Sequence, residues 1–347
     1  MIRFFTDTFA RLSIMKEVIE NLSFEDAVIV TAPPGWGKTY KILQAIKECS
    51  RSVIFIFPLR ALCDEVFLSS QEFRIDCLNL RSSKDLELLK IRDYKLILST
   101  PEILLNKELS GYIYVLDEFH LFYYWGNSFR DKMQALYFEV TSFGAPIVFL
   151  TATLGDELKH RLELELKYNY KNIYHLDFGN QKLKNYPKRI FYYPKLLRSW
   201  IDDEVLYGIN PGCTLIFCKF RREVKELSQK LRDRGFCVLN CVGGEASSFI
   251  LKLNSTENVD FIVATSVVSH GVNLPNISKI IFNYNVQNLD FYIQMIGRGG
   301  RQGESFEVHT LSNTYFSKLQ VFIGTGSVMV KRLRNKINKL LYYAYEY

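Results

Sequence analysis

One stretch limits the possible folds more than any other. The apolar, β-rich run at residues 28–31 ends in Ala32-Pro33-Pro34-Gly35-Trp36-Gly37-Lys38-Thr39, and helical spacing follows over 38–49. A strand that passes through a glycine-bearing loop straight into a helix is a unit of parallel α/β architecture. Downstream, residues 53–57 read as a strand and 59–68 as a helix, with further buried strands at 96–99, 112–117 and 146–150. Continuous apolar runs alternating with helices predict a mostly parallel sheet covered by helices on both faces.

The alternation stops between about residues 177 and 194, where Gly179, Asn180, Pro187 and Pro194 are mixed with Lys182, Lys184, Lys188 and Arg189. That composition predicts an interdomain linker. The alternation then restarts with strands at 214–218, 261–264 and 280–283 and a helix over 221–234. The 347 residues suit two domains of ordinary size. The expectation is an α/β fold with two tandem domains, 1–184 and 185–312, the linker opening the second. Residues 313–347 form an extension. In it Val330, Leu333, Ile337, Leu340 and Leu341 recur at helical spacing among Lys331, Arg332, Arg334, Lys336 and Lys339, which predicts a basic amphipathic helix.

Bulk properties exclude some classes. The seven cysteines are odd in number and follow no regular framework, so a secreted disulfide scaffold is not expected. Neither Cys213/Cys218 nor Cys237/Cys241 has the two-residue gap usual in zinc sites, and both pairs read as free thiols. The N-terminus lacks a signal-peptide layout, and apolar runs such as 144–154 fall short of the ~20 residues that span a bilayer. The expectation is a soluble cytoplasmic chain with no membrane partner, monomeric in isolation. The formal charge of +7 suits a polyanionic partner.

The loop at 32–39 has the chemistry of a phosphate cradle. Backbone N–H groups at a helix N-terminus present a favourable dipole to an anion. Gly35 and Gly37 let the backbone turn and approach closely. Lys38 supplies a mobile cation, and the Thr39 hydroxyl suits Mg²⁺. Asp117-Glu118-Phe119-His120 ends the run at 112–116, and strand ends of a parallel sheet open onto its ligand crevice. Asp117 can hold the metal through water, and Glu118 can orient and deprotonate an attacking water. His120, next to both acids, is a candidate for linking nucleotide state to the neighbouring domain. In the second half, Gln294-Met295-Ile296-Gly297-Arg298-Gly299-Gly300-Arg301 offers two guanidinium groups to charge developing on a γ-phosphate.

Together these blocks resemble the core of superfamily 2 helicases of the DExH type. Pro58-Leu59-Arg60-Ala61-Leu62 resembles motif Ia, Ser99-Thr100-Pro101-Glu102 motif Ib and Thr151-Ala152-Thr153 motif III. Phe217-Cys218-Lys219 resembles motif IV. Ala264-Thr265-Ser266 with Ser269-His270-Gly271-Val272-Asn273-Leu274-Pro275 resembles motif V. Motif V and the arginine block look most like the Ski2-like branch, and the box at 117–120 is also similar to the helicase subunit of type I CRISPR systems.

The resemblance implies two RecA-like domains with ATP and Mg²⁺ between them and a single strand of DNA or RNA across both. It implies nucleotide contacts from 32–39 and Gly271, and catalytic roles for Lys38, Asp117, Glu118, His120, Gln294, Arg298 and Arg301. Backbone contacts would come from Arg60, Thr100, Pro101, Lys219 and Thr265. Thr151 and Thr153 would couple the two sites. No Gln precedes Lys38, so the adenine-reading Q motif is missing, and the 18 residues 276–293 leave no room for a strand-separating hairpin. Alternative expectations are a motor subunit within a larger protein assembly, or a nucleotide-gated clamp on nucleic acid.

Overall fold

The computed structural model describes residues 11–107, 109–193, 212–269 and 273–311. They fall into two units, the first ending at Lys184 and the second beginning at Asn185.

The first unit runs α1 (Arg11–Asn21), β1 (Asp26–Thr31), α2 (Lys38–Glu48), β2 (Val53–Ile56), α3 (Arg60–Glu72) and β3 (Cys77–Asn79). After 3₁₀ turns at Ser83–Lys90 come β4 (Leu96–Ser99), α4 (Pro101–Leu104), β5 (Ile113–Leu116), α5 (His120–Tyr124) and α6 (Asp131–Ser142). It ends with β6 (Ile147–Thr151), α7 (Asp156–Leu166) and β7 (Asn172–Asp177). The seven strands lie in the order β3-β4-β2-β5-β6-β1-β7, every pair parallel.

Alternate residues of a strand face opposite sides, and both sides are buried here. On one face Val28, Val30, Val53, Phe55, Leu98 and Val148 pack with Met15 and Ile19 of α1, Ile42 and Ile46 of α2 and Leu62 of α3. On the other, Phe149 of β6 meets Phe119 at 4.5 Å and Tyr137 of α6 at 6.1 Å between ring centroids. Helices therefore cover the sheet twice. Each fully buried side chain of this size contributes roughly 1.5–3 kcal/mol relative to exposure.

The second unit runs β8 (Arg189–Tyr193), β9 (Cys213–Phe217), α8 (Arg221–Arg232), β10 (Val238–Cys241) and α9 (Ala246–Ser255). β11 (Phe261–Ala264), β12 (Ile277–Phe282), α10 (Leu289–Ile296) and β13 (Glu307–Leu311) complete it. Its sheet has the order β10-β11-β9-β12-β13-β8, again parallel throughout. Ile216, Val263 and Ile281 pack against Val224 and Leu231 of α8.

The stretch expected as a linker is more ordered than its composition suggests. β7 occupies residues up to Asp177, and 189–193 form an edge strand whose Arg189 pairs with Glu307 and Tyr193 with Leu311. The run Ile190-Phe191-Tyr192-Tyr193 carries the β signal, masked in the sequence by Pro187 and Pro194 on either side. The expected basic helix at 313–347 lies outside the described residues, as does Gly271.

Candidate functional site

In the first unit the site is assembled at the C-terminal ends of β1, β5 and β6. β1 lies beside β6, which puts the loop after Thr31 next to the segment 151–153. The Ala32 N–H donates to the Thr151 carbonyl at 3.1 Å. Gly35 (φ 73°) and Gly37 (φ 88°) adopt left-handed backbone that other residues reach only at a cost. A Cβ on Gly37 would meet nothing within 4 Å, so its requirement is conformational, and the space before the helix is open. α2 begins at Lys38 immediately after it. Lys38 Nζ donates to the Ala32 carbonyl at 3.1 Å, across the mouth of the loop.

Asp117 follows β5 and is buried. Burial raises its carboxyl pKa to about 7, the neighbouring Glu118 charge adds to this, and Lys38 and the Thr39 hydroxyl act against it. Its Oδ1 accepts from the Glu118 N–H at 3.0 Å. Glu118 sits at φ 48°, a left-handed conformation costly for a residue with a side chain. Its carboxylate lies 3.7 Å from His120 Nδ1. The fully buried His120 meets the Thr151 hydroxyl at 2.9 Å, and that hydroxyl donates to the Thr153 carbonyl at 2.7 Å. A polar chain, at ion-pair distance between Glu118 and His120 and hydrogen-bonded from His120 onward, thus joins Glu118 to the segment 151–153.

Thr39 and Asp117 offer hard oxygen donors of the kind Mg²⁺ prefers. Two adjacent carboxylates with Lys38 as the cation facing Asp117 leave local negative charge that a dication would offset. Among the described residues no three or more His, Cys, Asp or Glu side chains converge into an all-protein cage.

The residues expected at nucleic acid are differently placed. The Arg60 guanidinium donates to the Leu80 carbonyl, the Asn79 side chain and, at 3.1 Å, Asp64, so β3 and α3 hold it. Thr100 is the N-cap of α4 and Pro101 its first residue, both buried. Glu102 pairs with Arg130 at 2.5 Å. Burial raises its carboxyl pKa, but Arg130 outweighs this and holds the group below the usual range. Arg130 also donates to the Pro58 carbonyl and lies 5.9 Å over the Trp125 ring. It therefore ties the segments at 58 and 102 together, a role the sequence did not reveal.

In the second unit Lys219 is exposed beyond β9, its amine 5.3 Å over the exposed Phe220 ring. Thr265 follows β11 and donates its N–H to the Cys241 carbonyl. Gln294 and Arg298 are buried at the end of α10. Arg298 donates to the Ser269 carbonyl at 2.5 Å, and Arg301 Nε to the Gly297 carbonyl at 3.3 Å. The glycines between them are packing requirements, since a Cβ on Gly299 would lie 2.3 Å from Phe306 Cδ2.

Sequence reasoning missed the turn at 177–181. Asp177 Oδ1 accepts from Thr31 Oγ1 at 2.9 Å and from the N–H groups of Gly179 and Asn180 at 2.9 and 2.7 Å. Burial raises its carboxyl pKa, but these three donors hold it below the ordinary value. The Asp177-Phe178-Gly179-Asn180 run after a strand was the available signal. All seven cysteines are free. No helix among the described residues is long and apolar enough to cross a membrane.

Comparison with known proteins gives this geometry a family. Residues 13–160 match the DEAD/DEAH box helicase model, and residues 198–303 match the helicase conserved C-terminal domain. The chain is 24% identical over 341 residues to the ATP-dependent DNA helicase Q-like 4B of Arabidopsis thaliana, covering 90% of this chain and 29% of that one. It is 24% identical over 338 residues to the ATP-dependent RNA helicase DBP3 of Candida glabrata, covering 87% and 61%. Neither relative is spanned beyond two thirds of its length. In fold it resembles the S. cerevisiae protein Dbp5 solved bound to RNA and ADP BeF3, with a TM-score of 0.67 at 16% identity, covering 90% of this chain and 86% of that one. The two family models follow one another in the order of the motifs and take in β1–β6 of the first sheet and β9–β12 of the second, so the chain carries a DEAD/DEAH-box helicase domain followed by a helicase C-terminal domain, the pairing found in superfamily 2 helicases.

Proposed function

We propose that this chain is an ATP-driven motor that acts on single-stranded nucleic acid. The observation that carries the reading is the polar chain from Glu118 through His120 to Thr151 and Thr153, which starts at the acid placed for water activation and ends in the segment expected to couple the two sites. In this reading residues 32–39 cradle the phosphates, with Lys38 leaving the Ala32 carbonyl for the β- and γ-phosphates. Thr39 and Asp117 hold Mg²⁺, which when bound neutralises charge on the phosphate oxygens. Glu118 orients the attacking water and takes its proton. Arg298 and Arg301, with Gln294, are assigned to charge on the γ-phosphate, which makes turnover depend on both units. Gly271 is assigned to the nucleotide by motif alone.

Lys219 and Thr265, with Thr100 and Pro101, are assigned to the backbone of the strand. Arg60 is assigned there too, through its placement of the segment 79–81 rather than by a free guanidinium. Relatives named for DNA and for RNA leave both polymers within the proposal. The finer resemblance to the Ski2-like branch rests on residues 271–275 and 294–298, whereas the matched relatives carry Q-like and RNA-helicase names. The test is steady-state ATP hydrolysis by the full chain, alone and with single-stranded DNA, single-stranded RNA or duplex. Stimulation by one polymer, lost in Glu118→Gln and Lys38→Ala, is the expected result. Normal turnover in both variants overturns the assigned site. Hydrolysis indifferent to every polymer moves the reading to a subunit that works within an assembly.

A further inference from the structure

The turn at 177–181 grips two separate parts of the site. Toward the phosphate loop, Thr31 donates its hydroxyl to Asp177 at 2.9 Å, and the Phe178 N–H donates to the Thr31 carbonyl at 2.7 Å. The Phe178 ring stacks on Trp36 of the loop at 4.8 Å and 19°. Gly179, at φ +125°, lies so close that a Cβ would come within 3.1 Å of Pro33 Cγ. Toward the segment after β6, Asn180 makes a two-way pair with Leu154. Its Oδ1 accepts from the Leu154 N–H at 2.8 Å and its Nδ2 donates to the Leu154 carbonyl at 2.9 Å. The Gln181 N–H donates to the Ala152 carbonyl at 3.2 Å. These bonds close on backbone groups immediately after Thr151 and Thr153. Beyond Gln181 the chain runs on to the second unit, which begins at Asn185.

We propose that residues 177–181 are a strap that makes the phosphate loop and the segment 151–154 move as one body and passes that movement to the chain entering the second unit, with Asn180 as its positioning residue. This rests on the ATP-driven reading above. The physical basis is that Asn180 replaces two backbone partners at once. A truncated side chain leaves the N–H and carbonyl of Leu154 without these partners, and residues 153–154 then shift independently of the turn while Thr151 stays bonded to Ala32. Asn180 touches neither nucleotide nor water in this scheme. Removing it should therefore change the chemical step more than nucleotide binding, which remains with Lys38 and the loop N–H groups.

The experiment uses the full chain carrying Asn180→Ala, with two readouts. In steady-state hydrolysis with Mg²⁺, kcat falls roughly tenfold while KM for ATP stays within about twofold, a loss confined to the transition state. In hydrogen exchange, a non-hydrolysable ATP analogue protects residues 178–184 in the unmodified protein and fails to protect them in the variant. An unchanged kcat, a parallel rise in KM, or equal protection in both proteins overturns the strap. If the unmodified protein hydrolyses no ATP, the motor reading falls but the exchange experiment still decides the strap. Lack of protection in the unmodified protein overturns it as well. Asn180→Asp keeps the acceptor for the Leu154 N–H and turns a second acceptor on the Leu154 carbonyl. It should show the same split and serves if the alanine variant does not fold.

Discussion

Asp117→Asn should make the ligand-free protein more stable at pH 8 while ending its turnover. Burial and the Glu118 charge raise the folded Asp117 pKa to about 7, from an ordinary value of 3.8. Between these values the folded state holds a proton that the unfolded chain has released. The contribution of this group to stability therefore falls as pH rises through that window, and is flat below and above it. At 1.36 kcal/mol for each pH unit of separation, the ceiling of the effect is about 4 kcal/mol above pH 7. Relaxation around a buried charge reduces it, and about 2 kcal/mol is the working figure. The asparagine retains an oxygen for the Glu118 N–H and has no charge to desolvate. For a unit of this size the gain corresponds to a rise in Tm of roughly 4–8 °C. Calorimetry of both proteins at pH 5 and pH 8, in chelator and without nucleotide, measures it. The variant should melt higher at pH 8 and show only about a third of that gain at pH 5, where the parent has lost 1.2 of the 3.2 pH units that separate the two pKa values. A variant less stable than the parent at pH 8, or equally stabilised at both pH values, would refute the reasoning.

Other outcomes follow from the same geometry. Strand affinity measured by fluorescence anisotropy should fall at least about tenfold between 50 and 200 mM salt, because phosphate contacts release counterions. A flat response contradicts backbone tracking by Lys219 and its neighbours. Gly299→Ala places a methyl group against Phe306 and should cost the second unit about 1–3 kcal/mol in denaturant unfolding. Gly37→Ala meets open space and should cost only the backbone strain of φ 88°, about 1–2 kcal/mol, in the first unit. Equal losses at the two glycines would show that packing does not separate them.

The sequence made the middle of the first unit legible. Continuous apolar runs such as Val53-Ile54-Phe55-Ile56 mark a strand buried on both faces, and β2 sits inside the sheet. The loop at 32–39 and the acids at 117–118 were readable because their chemistry allows few substitutes. What escaped was held by long-range pairing. β8 looks like part of a proline-flanked linker until β13, more than a hundred residues later, supplies its ladder. Arg60 is expected at the nucleic-acid backbone because the segment 58–62 resembles motif Ia. Only the fold brings Asp64, Asn79 and Leu80 around its guanidinium. Asp177 and Asn180 read as the start of the linker, and their partners at 31 and 154 became visible only once β7 and β6 flanked β1.

That flanking has a consequence for how the chain is made. β1 lies between β6 and β7, and its Thr31 meets Asp177 across 146 residues of sequence. On a ribosome, the strand that launches the phosphate loop therefore emerges early and waits for both neighbours. At ordinary elongation rates the wait is about 7–30 s. Until β6 emerges the nascent apolar strand has two open edges, and β2, β4 and β5 can pair with one another before it docks. A chain arrested before residue 147 lacks the strand that flanks the proposed phosphate loop, and one arrested just short of residue 172 holds β1 by a single neighbour. Synthesis stalls in that interval should leave products that capture holdase chaperones and bind no nucleotide.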